Sequence, residues 1–289
     1  MKYFAFIFIT LIYFSSCTER IDLGDELPND LPPYAVVEAM ISDDTTTHVV
    51  KLSWTKDLDN DQAPDPITNA EVTISGNDQE ILLTEDGPGL YYTPTDFYLI
   101  PNTRYYLTID NVDTDNDGEP NLITATDSVP TRPYLDSIEI EWIDQWEAWL
   151  INAFAQEDGS ETNFYMFNAY VNDTLVTDTL RERVITDDVL INGMYITGLS
   201  TVFLQVERED EFLYEGDKVT LEIAGISEEA ASFLFDAQEE SGYSAPLFSG
   251  PPSNVEGNLK GKNVFGAFIT YSSFKASTYW SDEDYKNGN

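Results

Sequence analysis

The chain of 289 residues contains one cysteine and one histidine. A single cysteine cannot form a disulfide within the chain, and a single histidine excludes any site that needs two. Basic residues are also scarce, with 14 Lys and Arg against 53 Asp and Glu and a formal net charge of -39. This charge repels nucleic acid and anionic lipid head groups, so no nucleic-acid partner is expected. It suits a solvated surface, divalent cations or a cationic partner.

The sequence also lacks the short motifs of common enzyme classes. No G-x-S-x-G, H-E-x-x-H, P-loop or G-x-G-x-x-G motif occurs. Carboxylate pairs for glycoside hydrolysis cannot be recognised without geometry, because 53 acidic residues always supply candidate pairs. The sequence therefore predicts a protein that is not an enzyme.

The only cysteine directly follows an apolar N-terminal segment. Residues 1–16 have the features of a signal peptide, with Lys2 before an apolar run that is too short to span a bilayer. Two serines then precede Cys17, as signal peptidase requires small residues there. The arrangement resembles a bacterial lipobox, although Phe14 stands where leucine is usual. It predicts that Cys17 carries acyl chains such as palmitate and anchors the protein to a membrane.

Residues 17–33 are acidic and rich in proline, which predicts an extended tether between the lipid and the folded protein. Acidic residues just after the cysteine resemble the surface-export signal of Bacteroidota lipoproteins. That resemblance implies an outer-membrane lipoprotein that is exposed at the cell surface.

Short alternating runs separated by turn residues follow from residue 34 to residue 130. Seven runs have the period-two pattern of strands: 34–41, 48–54, 69–75, 79–84, 89–94, 103–110 and 121–129. Their number and spacing predict an immunoglobulin/fibronectin-like β-sandwich. Tyr105, in an alternating run that opens the sixth strand, is expected to form the tyrosine corner of such a fold.

Prolines at 130 and 133 mark the predicted start of a second β-rich domain, residues 131–279. Further strands are expected at 147–156, 163–172, 201–208 and 217–226, with a long hairpin or loop at 173–193. Ser227 as N-cap and Gly242 as stop predict one helix near 228–241. Residues 280–289 are predicted to be a polar tail. The fold class is thus mainly β.

Residues 113–124 follow the spacing of a calcium loop. The residues that match its first seven positions are Asp113, Asp115, Asp117, Gly118 and Glu119. Thr124 stands where a bidentate glutamate is expected, and the flanking strands place the loop in a hairpin. There are two alternatives for this loop: a weak calcium site or an acidic hairpin tip without a ligand. Calcium is the one cofactor that the sequence suggests.

Two weaker patterns concern the surface of the second domain. Trp142, Trp146 and Trp149 could form a stacking platform for sugars, but burial is the favoured interpretation. Short runs of Asp followed by Ser or Thr resemble the O-glycosylation signal of Bacteroidota exported proteins. Thr174 and Thr179 are the best candidates, since they lie in the polar segment 173–193.

The order of several short segments resembles one known family. The segments are VVEAMISDD, NAEVTIS, GLYYTP, VPTRPYLDSIEI, PPSNVEGN and NVFGAF. Together they resemble the Bacteroidota family of domain of unknown function 4249, over nearly all of the mature chain. Asn254, Gly257 and Gly266 match its pattern and are interpreted as turn and close-packing positions.

That family resemblance implies an outer-membrane lipoprotein encoded beside a TonB-dependent transporter, and it supplies no catalytic residues. The predicted function is a non-catalytic binding or accessory subunit of such a transporter. A calcium-stabilised adhesion or structural module is the alternative, and a glycan hydrolase is a weaker one.

Overall fold

Two β-sandwiches that share one long strand make up the described part of the chain. The structure is a computed structural model that describes residues 33–56, 62–242 and 254–281. The predicted signal peptide and nearly all of the predicted tether, with Cys17, lie outside the described residues. From Pro33 onward the chain forms one compact unit.

The seven predicted runs correspond to eight strands of the first sandwich. These strands are β1 (Ala35–Ser42), β2 (Val49–Trp54), β3 (Glu71–Gly76), β4 (Gln79–Leu82), β5 (Thr84–Glu85), β6 (Leu90–Tyr92), β7 (Arg104–Val112) and β8 (Asn121–Ser128). One sheet has the order β1-β2-β6-β5 and the other β8-β7-β3-β4. The predicted run at 79–84 is therefore divided between β4 and β5 of different sheets. Alternate side chains of both sheets meet in one core, which confirms the predicted immunoglobulin/fibronectin-like sandwich.

Tyr105 near the start of β7 forms the predicted tyrosine corner. Its ring is buried in the first core, and its hydroxyl accepts a hydrogen bond from the Ile100 backbone N–H at 3.0 Å. The ring lies against Gly76, where a Cβ would collide with it. Burial raises the pKa of the Tyr105 hydroxyl, so it stays a neutral hydrogen-bonding group at physiological pH.

The second sandwich uses most of the remaining chain. Its elements are β9 (Ser137–Ile143), β10 (Ala148–Gln156), β11 (Phe164–Val171), β12 (Thr174–Leu175), β13 (Val184–Asp187), β14 (Tyr195–Gln205), β15 (Lys218–Ile226), α1 (Glu228–Ser241) and the second half of β17 (Val264–Tyr279). The short strand β16 (Leu259–Lys260) pairs instead with β8 of the first sandwich. A three-stranded sheet, β14-β10-β9, faces a sheet in which β12 and β13 pair with β11, β11 with β15, and β15 with β17. A second core fills the space between them.

The long strand β17 joins the two sandwiches into one nine-stranded sheet. Its residues 264–271 pair in parallel with β1, and its residues 272–279 pair antiparallel with β15. Gly266 has a φ of 106°, and a Cβ there would collide with the Val37 carbonyl, while a Cβ on Gly257 would collide with the Gly266 carbonyl. These two glycines therefore are the close-packing positions that the sequence predicts.

The predicted helix corresponds to α1. Ser227 caps its N-terminus by accepting a hydrogen bond from the Ala230 N–H at 3.1 Å. The apolar face of α1 packs on the back of the nine-stranded sheet, which leaves β15 buried on both faces. Gly242 follows the helix as predicted, but in an extended conformation with a φ of −68°.

Two predicted boundaries need correction. The range 131–279 includes β16 and the first half of β17, but these segments pair with β8 and β1 of the first sandwich. The predicted tail at 280–289 includes Trp280, which is buried in the second core with its ring centroid 6.0 Å from that of Trp149. Burial of the large indole ring stabilises the packed position of Trp280, although the residues after it are polar.

Candidate functional site

A cavity of about 130 Å³ lies at one end of the second sandwich, between its two sheets. Apolar side chains from both sheets and from the segment before β9 form much of its wall, among them Pro133, Ala155, Phe167, Ile196, Leu199 and Ile223. Polar side chains from the ends of β10 and β11 complete it, namely Glu157, Asn163 and Tyr165. Apolar walls with a few converging polar groups are typical of binding sites for small ligands.

Two buried carboxyl groups lie together beside this cavity. Glu157 follows β10 and is 6% exposed, and Asp188 follows β13 and has no exposed surface. Glu157 Oε2 accepts a hydrogen bond from the Gly193 N–H, and Glu157 Oε1 accepts one from the Tyr165 hydroxyl at 3.1 Å. Asp188 Oδ1 has no hydrogen-bond partner within the described chain. A buried carboxylate oxygen without a partner is costly, so the pair needs a counter-charge or a proton.

Asn163 contacts both carboxyl groups. When its amide nitrogen faces the pair, it donates to Asp188 Oδ2 at 3.3 Å and to Glu157 Oε1 at 3.2 Å. In the other orientation of the amide, its oxygen points at the same two carboxylate oxygens. In that orientation the amide nitrogen also faces only donors, so hydrogen bonding within the chain alone favours the nitrogen toward the pair. Only a cation among the three side chains would favour the oxygen.

The surroundings of Glu157 oppose its ionisation. Burial raises the pKa of Glu157, and the neighbouring carboxyl group of Asp188 raises it further, against the opposing effect of the Gly193 N–H. Burial and the charge of Glu157 also raise the pKa of Tyr165. The pair therefore favours a form that shares one proton or binds a cation.

The electrostatics at the mouth of the cavity favour a positively charged occupant. Asp158 and Glu161 lie exposed on its rim. Arg132 also lines the cavity, but its guanidinium is paired with buried Asp43, to which its Nε donates at 2.7 Å. The rim therefore presents negative charge that the one nearby arginine does not neutralise.

The predicted calcium loop forms the tip of the β7–β8 hairpin. Oxygens of Asp113, Asp115 and Asp117 lie within 4.8 Å of one another. Asp113 accepts hydrogen bonds from the N–H groups of Asp117 and Gly118, at 3.3 and 2.8 Å. The Glu119 N–H donates to Asp117 Oδ1 at 2.9 Å. The loop thus brings its carboxylates together, while two of them also cap its own backbone.

A lysine from a distant part of the chain contacts this loop. Lys262, which is 147 residues from Asp115 in the sequence, forms an ion pair with the Asp115 carboxylate. The hydrogen bond from Lys262 lowers the pKa of Asp115. Any cation that binds at the loop must compete with this ammonium group.

The three tryptophans of the predicted cluster have different surroundings. Trp149 lies buried in the second core, and Trp142 packs edge-on against it at 5.1 Å between ring centroids. Trp146 is 57% exposed and contacts half-exposed Phe203 at 5.4 Å between centroids. Burial, the favoured interpretation, is therefore right for Trp149 and wrong for Trp146.

Thr174 and Thr179 are both exposed in the structure. Thr174 begins β12, which pairs with the edge of β11. Thr179 precedes a 3-10 turn at Leu180–Glu182, and its backbone N–H donates to the Glu182 carboxylate at 3.0 Å. Glycosylation at these residues stays a prediction.

Sequence reasoning missed the carboxyl pair. Glu157 and Asp188 lie in separate loops that follow different strands, and neither belongs to a motif with a fixed spacing. The only local signal is one glycine in each loop. Gly159 and Gly193 contact each other where the two loops meet. The proximity of the two carboxyl groups follows from the pairing of β10 with β14 and of β11 with β13.

Among the described residues, no helix has the length and hydrophobicity that crossing a bilayer requires. No curated protein matches the chain. Similar solved structures include a two-domain fibronectin type-III segment of chicken tenascin, with 14% identity, a TM-score of 0.19, and 67% of this chain and 90% of that chain covered. A bacterial ice-binding adhesin studied for host cell surface retention shows 10% identity, a TM-score of 0.20, and 86% and 65% covered. At such TM-scores neither likeness carries an argument.

The sequence also matches one protein family over most of its length. Residues 21–277 match the family described as Domain of unknown function (DUF4249). That range extends from before β1 to within β17, so it includes both sandwiches and the cavity. The chain therefore belongs to the DUF4249 family.

Proposed function

We propose that the protein is a non-catalytic lipoprotein of the outer membrane, exposed at the cell surface, and a binding or accessory subunit of a TonB-dependent transporter. Cys17 is the proposed site of lipidation. The observation that carries the binding role is the cavity at the end of the second sandwich, with Glu157, Asn163 and Tyr165 among its polar groups. Its negative rim and the formal net charge of -39 favour a cationic ligand or partner.

The lipid anchor rests on the sequence before the folded unit. An apolar run, two serines and then the only cysteine form the lipobox-like segment. Two or three acyl chains on Cys17 give stable attachment, whereas a single chain gives reversible binding. The acidic, proline-rich residues before β1 then act as a tether that holds the sandwiches away from the bilayer.

A calcium-stabilised adhesion or structural module is the second candidate. The three carboxylates at the tip of the β7–β8 hairpin favour it, since their oxygens lie within 4.8 Å of one another. The glycan hydrolase receives no such support from the buried pair. A glycosidase needs both carboxyl groups to face the sugar, and Asp188 has no exposed surface.

Copurification from membranes tests the proposal. The full-length protein with a C-terminal affinity tag is expressed in its native host, and outer membranes are solubilised in mild detergent. We expect the tagged protein to be acylated and to copurify with a TonB-dependent transporter, and we expect Cys17→Ala to leave the membrane fraction. A matched Glu157→Gln variant should stay acylated and in the membrane fraction, since the cavity is not needed for anchoring.

Each half of the proposal has its own contrary outcome. If Cys17→Ala stays in the membrane as tightly as the parent, the lipid anchor is wrong. If the acylated parent is purified alone under conditions that preserve other transporter complexes, the accessory role is wrong.

A further inference from the structure

Two carboxylate oxygens lie close to one atom of the Asn163 amide beside the cavity. The atom of the Asn163 amide that faces the carboxyl pair lies 3.3 Å from Asp188 Oδ2 and 3.2 Å from Glu157 Oε1. Oxygens that bind one Ca²⁺ at about 2.4 Å lie roughly 3 Å from one another. If the amide oxygen faces the pair, the spacing is therefore that of neighbouring ligands of a single cation.

Burial makes a cation at this point favourable. Asp188 has no exposed surface, and its Oδ1 has no hydrogen-bond partner among residues 33–56, 62–242 and 254–281. Glu157 is nearly as buried, and the basic side chain that lines the cavity, Arg132, is paired with Asp43. Two adjacent carboxylates in such surroundings repel each other unless positive charge lies between them.

The ligand atoms define the class of cation. The side chains that converge are carboxylates and an amide, which are hard oxygen ligands. The only histidine, His48, belongs to the first sandwich, where it lies against Phe97, and the only cysteine is Cys17. Ca²⁺ suits this set better than Mg²⁺, because it accepts irregular geometry and gives up its water more easily.

From this geometry we infer that Glu157, Asp188 and Asn163 bind one Ca²⁺ beside the cavity of the second sandwich. Asn163 then presents its amide oxygen to the ion, and the buried Asp188 carboxylate gains the counter-charge that it otherwise lacks. The Gly193 N–H and the Tyr165 hydroxyl hold the Glu157 carboxylate in place. The inference goes beyond the proposed function, because it requires neither the lipid anchor nor a transporter.

A shared proton is the alternative state of the pair. Glu157 and Asp188 would then share one proton, with the Asn163 nitrogen donating to both. The other titratable groups nearby are Tyr165, whose pKa is raised, and the acidic residues Asp158 and Glu161 at the rim. Binding of Ca²⁺ must displace that proton, so the affinity should increase as the pH rises from 5 to 7.

Equilibrium dialysis of the full-length, detergent-solubilised protein against ⁴⁵Ca²⁺ tests the site. All variants carry Asp113→Asn and Asp117→Asn, so that the hairpin loop cannot contribute. In this background we expect one bound Ca²⁺ per chain. Glu157→Gln and Asp188→Asn should each weaken binding by at least about tenfold. Glu139→Gln removes the same charge from an exposed residue of β9 that does not line the cavity, and it should change the affinity by no more than about twofold.

Melting in chelator separates loss of the site from loss of the fold. Glu157→Gln and Asp188→Asn each remove a buried charge, so both should melt in chelator at least as high as their background. If the background binds no Ca²⁺ at pH 7, or if both variants bind like Glu139→Gln, the inference is wrong and the pair shares a proton. If Asp188→Asn fails to fold, Glu157→Gln decides by the same criterion.

Discussion

The hydroxyl of Tyr105 accepts a hydrogen bond at 3.0 Å from the backbone N–H of Ile100, five residues earlier in the chain. This bond fixes the turn that leads into β7 to the core of the first sandwich. Tyr105→Phe keeps the ring and removes only the acceptor, which leaves a partly buried N–H without its partner. We expect the free energy of unfolding in urea to fall by about 1–3 kcal/mol.

Tyr106→Phe is the matched control for this variant. Tyr106 is the next residue on β7, and its half-exposed ring lies on the outer face of the sheet. Loss of the Tyr106 hydroxyl should change the free energy of unfolding by less than about 0.5 kcal/mol. Equal effects of the two variants would show that the corner bond contributes nothing measurable.

Stability should depend strongly on Trp149 within β10 and little on Trp146 in the turn before that strand. Trp149 is 5% exposed within the second core, so Trp149→Ala should lower the free energy of unfolding by about 3–5 kcal/mol. Trp146 is mostly exposed beside Phe203, and Trp146→Ala should cost under about 1 kcal/mol. Urea unfolding of both variants measures the difference. A large loss from Trp146→Ala alone would contradict the structure.

Local patterns in the sequence predict much of the first sandwich. Alternation and turn residues place most of its strands, because a strand with one face in the core and one in water alternates in sequence. The tyrosine corner is predictable for the same reason, since Tyr105 and Ile100 are neighbours in sequence. Even the strain at Gly266 has a local signal in the glycine itself.

Contacts between distant segments could not be predicted in this way. β17 pairs with β1 more than 200 residues away, and no local pattern records which strand lies at that edge. Because residues 259–271 return to the first sandwich, a boundary drawn along the sequence cannot separate the two. The pair of Glu157 and Asp188 likewise depends on strand pairing, of β10 with β14 and of β11 with β13, so the sequence shows two ordinary acidic residues in loops.

Modification of the exposed threonines gives a direct measurement. If the Asp-Thr-Leu runs are glycosylated, the intact mass of the protein from its native host should exceed that of the lipidated polypeptide. Thr174→Ala and Thr179→Ala should each remove part of the excess, because both residues are exposed. Thr177→Ala is the control, since Thr177 is buried and its hydroxyl accepts a hydrogen bond from the Ala169 N–H at 3.0 Å. A mass equal to that of the lipidated polypeptide would dismiss the modification.

The stability of the second sandwich should depend on pH through Glu157. Its pKa is raised in the folded protein, chiefly by burial, so the folded state holds the proton more tightly than the unfolded state. The stabilisation is therefore complete below the unfolded pKa and is lost as the pH rises through the folded pKa. Glu157→Gln removes this loss, so in chelator its stability relative to the parent should increase with pH.

Urea unfolding at several pH values in chelator measures this difference. Glu161→Gln serves as the control, because it removes the same charge from an exposed residue at the rim. If the free energies of unfolding of the parent and of Glu157→Gln differ by a constant amount from pH 4 to 8, the buried carboxyl does not titrate in this range. Saturating Ca²⁺ should restore stability to the parent at neutral pH and leave Glu157→Gln unchanged.

The hairpin loop should bind calcium more tightly once Lys262 is removed. The ammonium of Lys262 pairs with Asp115, so it competes with any cation that the three carboxylates bind. A loop without a bidentate glutamate is expected to have a Kd of about 10⁻⁴ to 10⁻³ M. At millimolar Ca²⁺ this affinity adds about 1 kcal/mol of stability. Lys262→Met should enlarge that gain, and Asp115→Ala with Asp117→Ala should abolish it.

Thermal melting in millimolar Ca²⁺ and in chelator, at matched ionic strength, measures the effect of the loop. All proteins carry Glu157→Gln, so that the cavity does not contribute to the shift. Lys260→Met removes the same charge from an exposed residue of β16, two residues before Lys262, and should leave the calcium-dependent shift unchanged. If the Lys262→Met protein melts at one temperature in both solutions, the loop at Asp113–Asp117 is only a turn whose carboxylates cap its backbone and bind Lys262.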